Sequence, residues 1–299
     1  MTYSIIGRDP ETGELGIAVQ SRFFAAGRLA PWIEAGVGAV ASQAFAEPRY
    51  GYEGLALLKR GRTPQAALDQ LRRQDQNPDI RQVAIGDARG NFAVYTGARC
   101  VAAAGHALGA DCVAQANMMT RDTVWSAMTA TFEATQGALG DRLMAALEAA
   151  EREGGDIRGA QAAALIVVGA SAVENPALGR LVDLRVDDHI DPLAEVRRQL
   201  AYARAHRQSL DALALMQAGD LGGARAKLED ALHAFPDEPQ FLGRYALTLM
   251  ASGDVPGARD AMARAISVAP HSLEFVMRMA DAGIIPVPRA VLATLAPNP

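Results

Sequence analysis

The chain has 299 residues, enough for about two domains, because a single hydrophobic core rarely grows beyond ~250–300 residues. Half of the residues are hydrophobic and 21% are charged, which excludes an intrinsically disordered chain. The net charge of −5 comes without a basic stripe, so neither nucleic acid nor an anionic membrane is an expected partner.

The cysteine content and the apolar runs bear on the cellular compartment. Cys100 and Cys112 are too few for the disulfide framework of a small secreted domain. Arg8 and Asp9 interrupt the first apolar stretch, and Ala162–Val168 is far shorter than the roughly 20 residues of a membrane helix. We therefore expect a soluble, cytoplasmic protein.

The first two thirds of the chain alternate between strand and helix patterns. The predicted strands are Thr2–Arg8, Leu15–Ser21, Gly36–Ser42, Arg81–Gly86, Phe92–Tyr95, Cys112–Asn117, Ala163–Val168 and Leu181–Val186. The predicted helices are Tyr50–Arg60, Pro64–Arg73, Thr123–Thr135 and Leu139–Arg152. This mixture predicts an α+β domain over residues 1–195.

From about Pro192 to its end the chain has a helical pattern that repeats. Gly219-Asp220-Leu221, Ala224, Ala231 and Pro236 recur 34 residues later as Gly253-Asp254-Val255, Ala258, Ala265 and Pro270. This period and these small residues are typical of the tetratricopeptide helix-turn-helix repeat. Because two repeats do not bury their own faces, the helix from Pro192 and the segment Ser272–Ala282 are expected to act as caps. Residues 196–299 are thus a predicted tetratricopeptide-like α-helical domain.

Two roles remain open for these repeats. Stacked repeats commonly form a groove that binds a peptide, so a protein or peptide partner is one expectation. The alternative is an appendage that stabilises the protein or dimerises it. A dimerising appendage would make the protein a homo-oligomer.

Thr2 is the first candidate for chemistry. Removal of an initiator methionine is favoured when the second residue is small, and a free N-terminal threonine then carries a nucleophile and a base. The unperturbed pKa of its amine, near ~7.7–8.0, suits a general base at neutral pH. Such a site needs neither a lysine nor a histidine, which suits a chain that contains just two lysines, Lys59 and Lys227. The alternative is that Thr2 is an ordinary strand residue.

Hairpin geometry adds neighbours to Thr2. If the turn after Arg8 closes a hairpin between the first two strands, Thr2 faces Ser21. Directly opposed residues share one face of the sheet, so Thr2, Ser4 and Ser21 are expected together, with Arg22 at the strand end. A shift of one residue would separate them.

A family resemblance supports this arrangement. It is carried by Thr2–Ile6, Asp9–Gly16, Ala35–Ala41, Arg49–Gly51, Thr96-Gly97, Gly105-His106, Asn117-Met118 and Arg185–His189. In this order, across residues 2–200, these segments resemble the domain-of-unknown-function family numbered 1028. That family is similar in fold to the N-terminal nucleophile hydrolases, whose activity it is not known to share. The resemblance implies a four-layer αββα sandwich in which the first strand presents residue one of the mature chain to a cleft.

A more distant similarity to the proteasome β-subunit narrows the chemistry. There the second strand ends in Asp-Ser-Arg and a later lysine lies against the nucleophile, whereas this chain has Gln20-Ser21-Arg22 and no lysine near Trp32–Glu34. Proteasome-type peptidase chemistry is therefore disfavoured. An amine-only site, as in acylase-like relatives of the fold, is the alternative, with Arg22 or Asn117 as a candidate to hold an oxyanion.

Other candidate sites are weaker. Asp187-Asp188-His189 cannot all converge on a metal, because successive strand residues point to opposite faces, and Asp191 is expected to cap a helix instead. His106 is expected in a loop, either as a surface histidine or as an auxiliary acid or base. Phe23-Phe24 and Trp32 are candidates to line a pocket, with core packing as the plainer interpretation. Neither a metal nor a cofactor is expected.

The sequence thus predicts a hydrolase of the N-terminal nucleophile type, acting on a small amide or peptide-like bond after removal of Met1. Thr2 is its nucleophile, and Ser4, Ser21, Arg22 and Asn117 support the site. The alternative is a catalytically silent hydrolase-like scaffold that binds protein partners through its helical repeats.

Overall fold

The structure, a computed structural model, describes residues 2–285 and 287–296. Contacts divide the chain into two compact units, one up to Leu200 and one from Ala201 onward. Across the described ranges, none of the helices is long and apolar enough to span a bilayer.

The first unit contains two antiparallel sheets. Its strands are β1 (Thr2–Arg8), β2 (Leu15–Ser21), β3 (Pro31–Glu34), β4 (Gly38–Ala44), β5 (Arg81–Asp87), β6 (Phe92–Thr96), β7 (Gly105–Leu108), β8 (Cys112–Asn117), β9 (Ala162–Val168) and β10 (Arg180–Val186). The six-stranded sheet has the order β10-β9-β2-β1-β8-β7, and the four-stranded sheet has the order β3-β4-β5-β6. Strand β1 is therefore paired on both sides.

Helices of the first unit lie against these sheets. They are α1 (Ala26–Leu29), α2 (Pro48–Lys59), α3 (Pro64–Gln74), α4 (Val124–Ala134), α5 (Leu139–Arg152) and the long α6 (Pro192–Gln217), which continues past Leu200. Thr63 caps α3 by accepting a hydrogen bond from the Ala66 amide, and Asp191 accepts one from the Ala194 amide at the start of α6.

Alternating side chains of β1 separate two cores. Tyr3 and Ile5 pack with residues of α4 and α5, such as Phe132. Ile6 points the other way and packs between the two sheets, where it meets residues of the four-stranded sheet such as Ile33. Helices α2 and α3 cover the outer face of the four-stranded sheet. The unit is thus a mixed α+β fold with antiparallel sheets, as the sequence predicts.

The predicted hairpin is confirmed in register, whereas three details of the strand prediction are wrong. The strand predicted at 36–42 begins later, at Gly38, because Gly36 has a positive φ of 70° and belongs to the turn before it. The sequence pattern also missed β3 and β7, and His106 consequently lies in a strand rather than a loop. Each missed strand has four residues, too few for a two-residue period to show.

The second unit is helical. After the end of α6 it contains α7 (Leu221–Ala234), α8 (Pro239–Ala251), α9 (Val255–Val268), α10 (Ser272–Asp281) and α11 (Arg289–Leu292). Gly219 and Gly253 precede α7 and α9 with φ of 84° and 88°, which favours glycine. All four repeat alanines are fully buried, at positions 224, 231, 258 and 265. Helix α10 packs against α8 and α9, as the predicted cap does.

A buried ion pair joins the outer helices to the four-stranded sheet. Asp75, at the end of α3, accepts hydrogen bonds from the Tyr50 hydroxyl at 3.2 Å and from Arg81 Nε at 2.9 Å. Burial by itself raises the pKa of Asp75, but its hydrogen bonds from Arg81, the Asn77 amide and Tyr50, together with the charge of Arg81, outweigh burial and hold the pKa below the ordinary value of 3.8. The folded state therefore favours the carboxylate.

This ion pair predicts that replacing the Asp75 carboxylate lowers stability in a pH-dependent way. We expect Asp75→Asn to lower the free energy of unfolding at pH 7 by about 1.5–3 kcal/mol, the range for hydrogen bonds to charged groups. Because the folded pKa is depressed, the stabilisation is present above the unfolded pKa and is lost as the pH falls through the folded value. Urea denaturation of both proteins at pH 7 and near pH 3 measures this, and a difference independent of pH would contradict it.

Close packing between α2 and β3 predicts that a side chain added at Gly51 lowers the stability of the protein. A Cβ at Gly51 would lie 2.3 Å from the Trp32 ring, so we expect Gly51→Ala to destabilise by about 1–3 kcal/mol. Gly140→Ala, in α5, is the matched control, because its Cβ meets Leu200 at an ordinary 3.5 Å. That change should be neutral or stabilising by up to about 1 kcal/mol. Chemical denaturation compares the two, and equal stabilities would argue against this packing.

Candidate active site at the end of the first strand

Thr2 is the first residue of β1 and lies between the carboxyl ends of the neighbouring strands β2 and β8. It pairs with Ser21 of β2 on one side and with Asn117 of β8 on the other. Its hydroxyl donates to Ser21 Oγ at 3.1 Å, and Ser21 Oγ also accepts a hydrogen bond from the Phe23 amide at 3.1 Å. Thr2 is 5% exposed. The predicted contact between Thr2 and Ser21 is therefore present, in a nearly closed environment.

Four carboxamide side chains fill the space between the two sheets beside Thr2. We call them the amide cluster, and its members are Gln43, Gln82, Gln115 and Asn117. The Thr2 carbonyl oxygen accepts from Gln43 Nε2 at 3.0 Å and from Asn117 Nδ2 at 3.3 Å. Both nitrogens also donate to Gln82 Oε1, at 2.8 and 2.9 Å. The backbone of Thr2 is thus held by Gln43 of the opposite sheet and by Asn117 of its own sheet.

Ser4 acts on this site through the amide cluster. Its hydroxyl donates to Gln43 Oε1 at 2.7 Å and accepts from Gln115 Nε2 at 3.3 Å. Ser4 shares a face with Thr2, as the hairpin register predicts. Its contacts orient Gln43, which in turn holds the Thr2 carbonyl.

Arg22 does not join this group. Its guanidinium donates to Gln161 at 2.6 Å on the exposed side of the strand end, and its amide donates to the buried Asp156 carboxylate at 3.4 Å. The direction of the chain changes after Ser21, so the side chain is carried away from the space between the sheets. Asp156, which the sequence analysis missed, is itself held by Arg158 in an ion pair of 2.9 Å.

Asn117 has one polar atom without a partner among the residues that the structure describes. Its nitrogen makes the two hydrogen bonds given above, but its buried Oδ1 accepts none. A buried acceptor of this kind is costly when it stays unpaired. Because Asn117 pairs with Thr2, this oxygen is an acceptor available beside the start of the chain.

The amide cluster continues to His106. Gln82 Nε2 donates to Thr96 Oγ1 at 2.9 Å, and Thr96 Oγ1 lies 2.8 Å from His106 Nδ1. Partial burial lowers the pKa of His106 below its ordinary value of 6.5. The sequence pattern does not single out Gln43, Gln82 and Gln115 as site residues, although each is a long polar residue next to apolar ones in its strand.

Phe23 and Phe24 are more than half exposed, so the interpretation that they pack in the core is wrong. Phe45, just after β4, is also 56% exposed. Trp32, by contrast, packs on α2 and stacks edge-to-face on Tyr52. Within the residues described, no three His, Cys, Asp or Glu side chains are grouped to hold a metal ion.

Comparisons with known proteins identify the class. Residues 2–196 match a family of unknown function, DUF1028, and residues 215–282 match a tetratricopeptide repeat family. Since the first match spans more than half of the chain, the protein belongs to DUF1028, which confirms the resemblance found in the sequence.

A solved structure agrees with this assignment. The crystal structure of protein SPO2555 from Silicibacter pomeroyi, also assigned to DUF1028, is similar to this chain with a TM-score of 0.61 and 32% sequence identity. The similarity covers 68% of this chain and 88% of that one. Among curated proteins, none matches.

The amide cluster yields a stability prediction. Gln82→Leu removes the acceptor of Gln43 and Asn117 and leaves their nitrogens, together with the Ala116 carbonyl, short of a partner. We expect a loss of about 1–3 kcal/mol in the free energy of unfolding. Gln65→Leu, at an exposed position of α3, is the matched control and should change stability by less than about 0.5 kcal/mol. Urea denaturation measures both, and an unaffected Gln82→Leu would show that the cluster does not hold the sheets.

Proposed function

We propose that residues 1–195 form a hydrolase of the N-terminal nucleophile type, with an αββα arrangement, and that Thr2 attacks a small amide or peptide-like bond. The observation that carries this proposal is the Thr2 hydroxyl, hydrogen-bonded to Ser21 at 3.1 Å, on a residue whose carbonyl is fixed by Gln43 and Asn117. A nucleophile held this firmly needs little reorganisation before it reacts.

The layer order supports the fold assigned in the proposal. Helices α4 and α5 cover one sheet, α2 and α3 cover the other, and the two sheets face each other. In such an arrangement the first strand of the chain lies centrally in its sheet, which is the position of β1.

The chemistry requires removal of Met1, which lies outside the described residues. While a residue precedes Thr2, its nitrogen is an amide and cannot act as a base. Once freed, the amine accepts the hydroxyl proton as Oγ1 attacks the substrate carbonyl carbon, and the proton passes to the departing nitrogen. The resulting threonyl ester is then cleaved by water, which returns the hydroxyl and the amine.

The neighbouring residues have distinct parts in this proposal. Ser21 orients the hydroxyl, Ser4 holds Gln43, and Asn117 fixes the Thr2 backbone while its Oδ1 offers an acceptor to the new amine. Arg22 has no part, because its guanidinium is bound by Gln161. The proposal names no cofactor.

Partner binding is the second candidate function. The match to a tetratricopeptide family over residues 215–282 favours it, because such repeats commonly bind protein segments. Partner binding is compatible with hydrolysis by the first unit, and it becomes the sole proposal if that unit has no catalytic activity.

Three linked measurements test the hydrolase. Intact-mass analysis of the purified protein should show loss of Met1, because the residue exposed by cleavage is small. A β-lactone probe should then add covalently to wild type, more slowly to Thr2→Ser, and not to Thr2→Ala. Hydrolysis of a panel of small amides should fall by at least about 10³-fold in Thr2→Ala, as for loss of a nucleophile.

Thr12→Ala provides the matched control, since Thr12 is an exposed threonine in the turn after β1. It should be labelled like wild type. Retention of Met1, or equal labelling of Thr2→Ala, would contradict the hydrolase and leave the scaffold.

A further inference from the structure

Beside the Thr2 site lies a cleft of about 510 Å³, where β6 ends and β7 begins. Its walls include Thr96, Cys100, Ala102, Gly105, His106 and Trp125, and we call it the His106 cleft. We infer that it is the subsite that binds an uncharged, planar or aromatic group of the substrate. This inference rests on the proposed function for its place in catalysis, although binding itself can be measured without catalysis.

The volume suits a small molecule. Ligand sites usually measure roughly 300–1,000 Å³ and combine apolar walls with a few fixed polar groups. The His106 cleft has this composition: glycine and alanine backbone, one indole ring, and the polar atoms of Thr96 and His106.

The charge of the lining favours a neutral ligand over an ionic one. Neither acidic residues nor lysine or arginine contribute to the walls. His106 is the one lining group that can become cationic near neutral pH, and its lowered pKa keeps it neutral there. A charged ligand would gain no counter-ion from these walls, so a neutral ligand is favoured.

Trp125 supplies a flat and fixed wall. A Cβ on Gly105 would lie 2.4 Å from Trp125 Cζ2, so the missing side chain is what lets the indole lie against the backbone of β7. A ring held in this way loses little entropy when a second planar group stacks on it, and such aromatic pairs gain energy beyond their buried area.

The polar atoms of the cleft are tied to Thr2 by hydrogen bonds. His106 Nδ1 is engaged by Thr96, Thr96 accepts from Gln82, and Gln82 accepts from Asn117, whose nitrogen also holds the Thr2 carbonyl. His106 Nε2 makes no hydrogen bond to the described residues and is left to meet a ligand. The same side chains that fix Thr2 therefore also fix this wall of the cleft.

Strand spacing gives the distance between the cleft and Thr2. Thr2 is on β1, His106 is on β7, and β8 alone lies between them. Neighbouring strands are about 4.8 Å apart, so the cleft is roughly 10 Å from the Thr2 position. His106 also faces the same side of the sheet as Thr2, because it pairs with Gln115, which pairs with Ser4.

Ligand binding can be followed by tryptophan fluorescence, because the chain contains two tryptophans and one of them lines the cleft. The probes are phenylacetamide, which is neutral, and phenylacetate and benzylamine, which have similar size and opposite charges. Each is titrated into the full-length wild type and into Thr2→Ala. We expect a saturable change with phenylacetamide, of equal affinity in both proteins, and binding at least about tenfold weaker for each charged probe.

Three variants assign the signal to the cleft. Trp125→Phe should abolish the fluorescence change, while Trp32→Phe should retain it. His106→Ala, a change at an exposed strand position, should weaken phenylacetamide binding by about tenfold, the value of one lost hydrogen bond. Thermal melting establishes that each variant is folded. If Trp125→Phe fails to fold, the shift of the Trp125 indole N–H in NMR spectra of the wild type replaces it.

The outcomes separate the two proposals. Saturable binding in a protein that the β-lactone does not label would overturn the hydrolase and retain the cleft. Labelling of Thr2 without saturable binding, equal binding of all three probes, or full affinity in His106→Ala would overturn the cleft and leave the hydrolase standing.

Discussion

Pairing of β1 with strands on both sides determines the position of Thr2. A one-residue slip would exchange the two faces of the strand and move Thr2 toward α4 and α5. The cores prevent this slip, because Tyr3 and Ile5 are buried against those helices while Ile6 is buried between the sheets. The apolar residues in the middle of the strand thus fix the polar residue at its end.

The site also needs polar groups to be buried at this end of the space between the sheets, and the amide cluster makes this possible. Carboxamides can donate and accept at once, so Gln43, Gln82 and Asn117 bond to one another and hold the Thr2 carbonyl without any charged group, while Asn117 Oδ1 and Gln115 Oε1 accept no bond from the described residues. A network so interconnected permits few alternative arrangements. In the proposed reaction the amine of Thr2, rather than a lysine, accepts the proton of the hydroxyl.

The repeat unit is built on a different principle. Its stability comes from neighbouring helices whose alanines, at positions 224 and 258 among others, allow close approach. Asp220 and Asp254 cap α7 and α9 by accepting hydrogen bonds from the amides of Gly223 and Gly257. These local rules recur at a fixed period, so they predict the repeats without any knowledge of distant contacts.

The sequence by itself determined the elements whose causes are local: the hairpin register of Thr2 and Ser21, the long helices and the repeats. Two-residue alternation and turn residues act over a few positions, so they can be read from the chain. Tertiary structure alone decided that Gln43 reaches the Thr2 carbonyl, that Arg22 turns away, and that His106 joins Thr96 beside Trp125. Those contacts cross between strands far apart in sequence, and a polar residue within an apolar strand does not reveal which partner satisfies it.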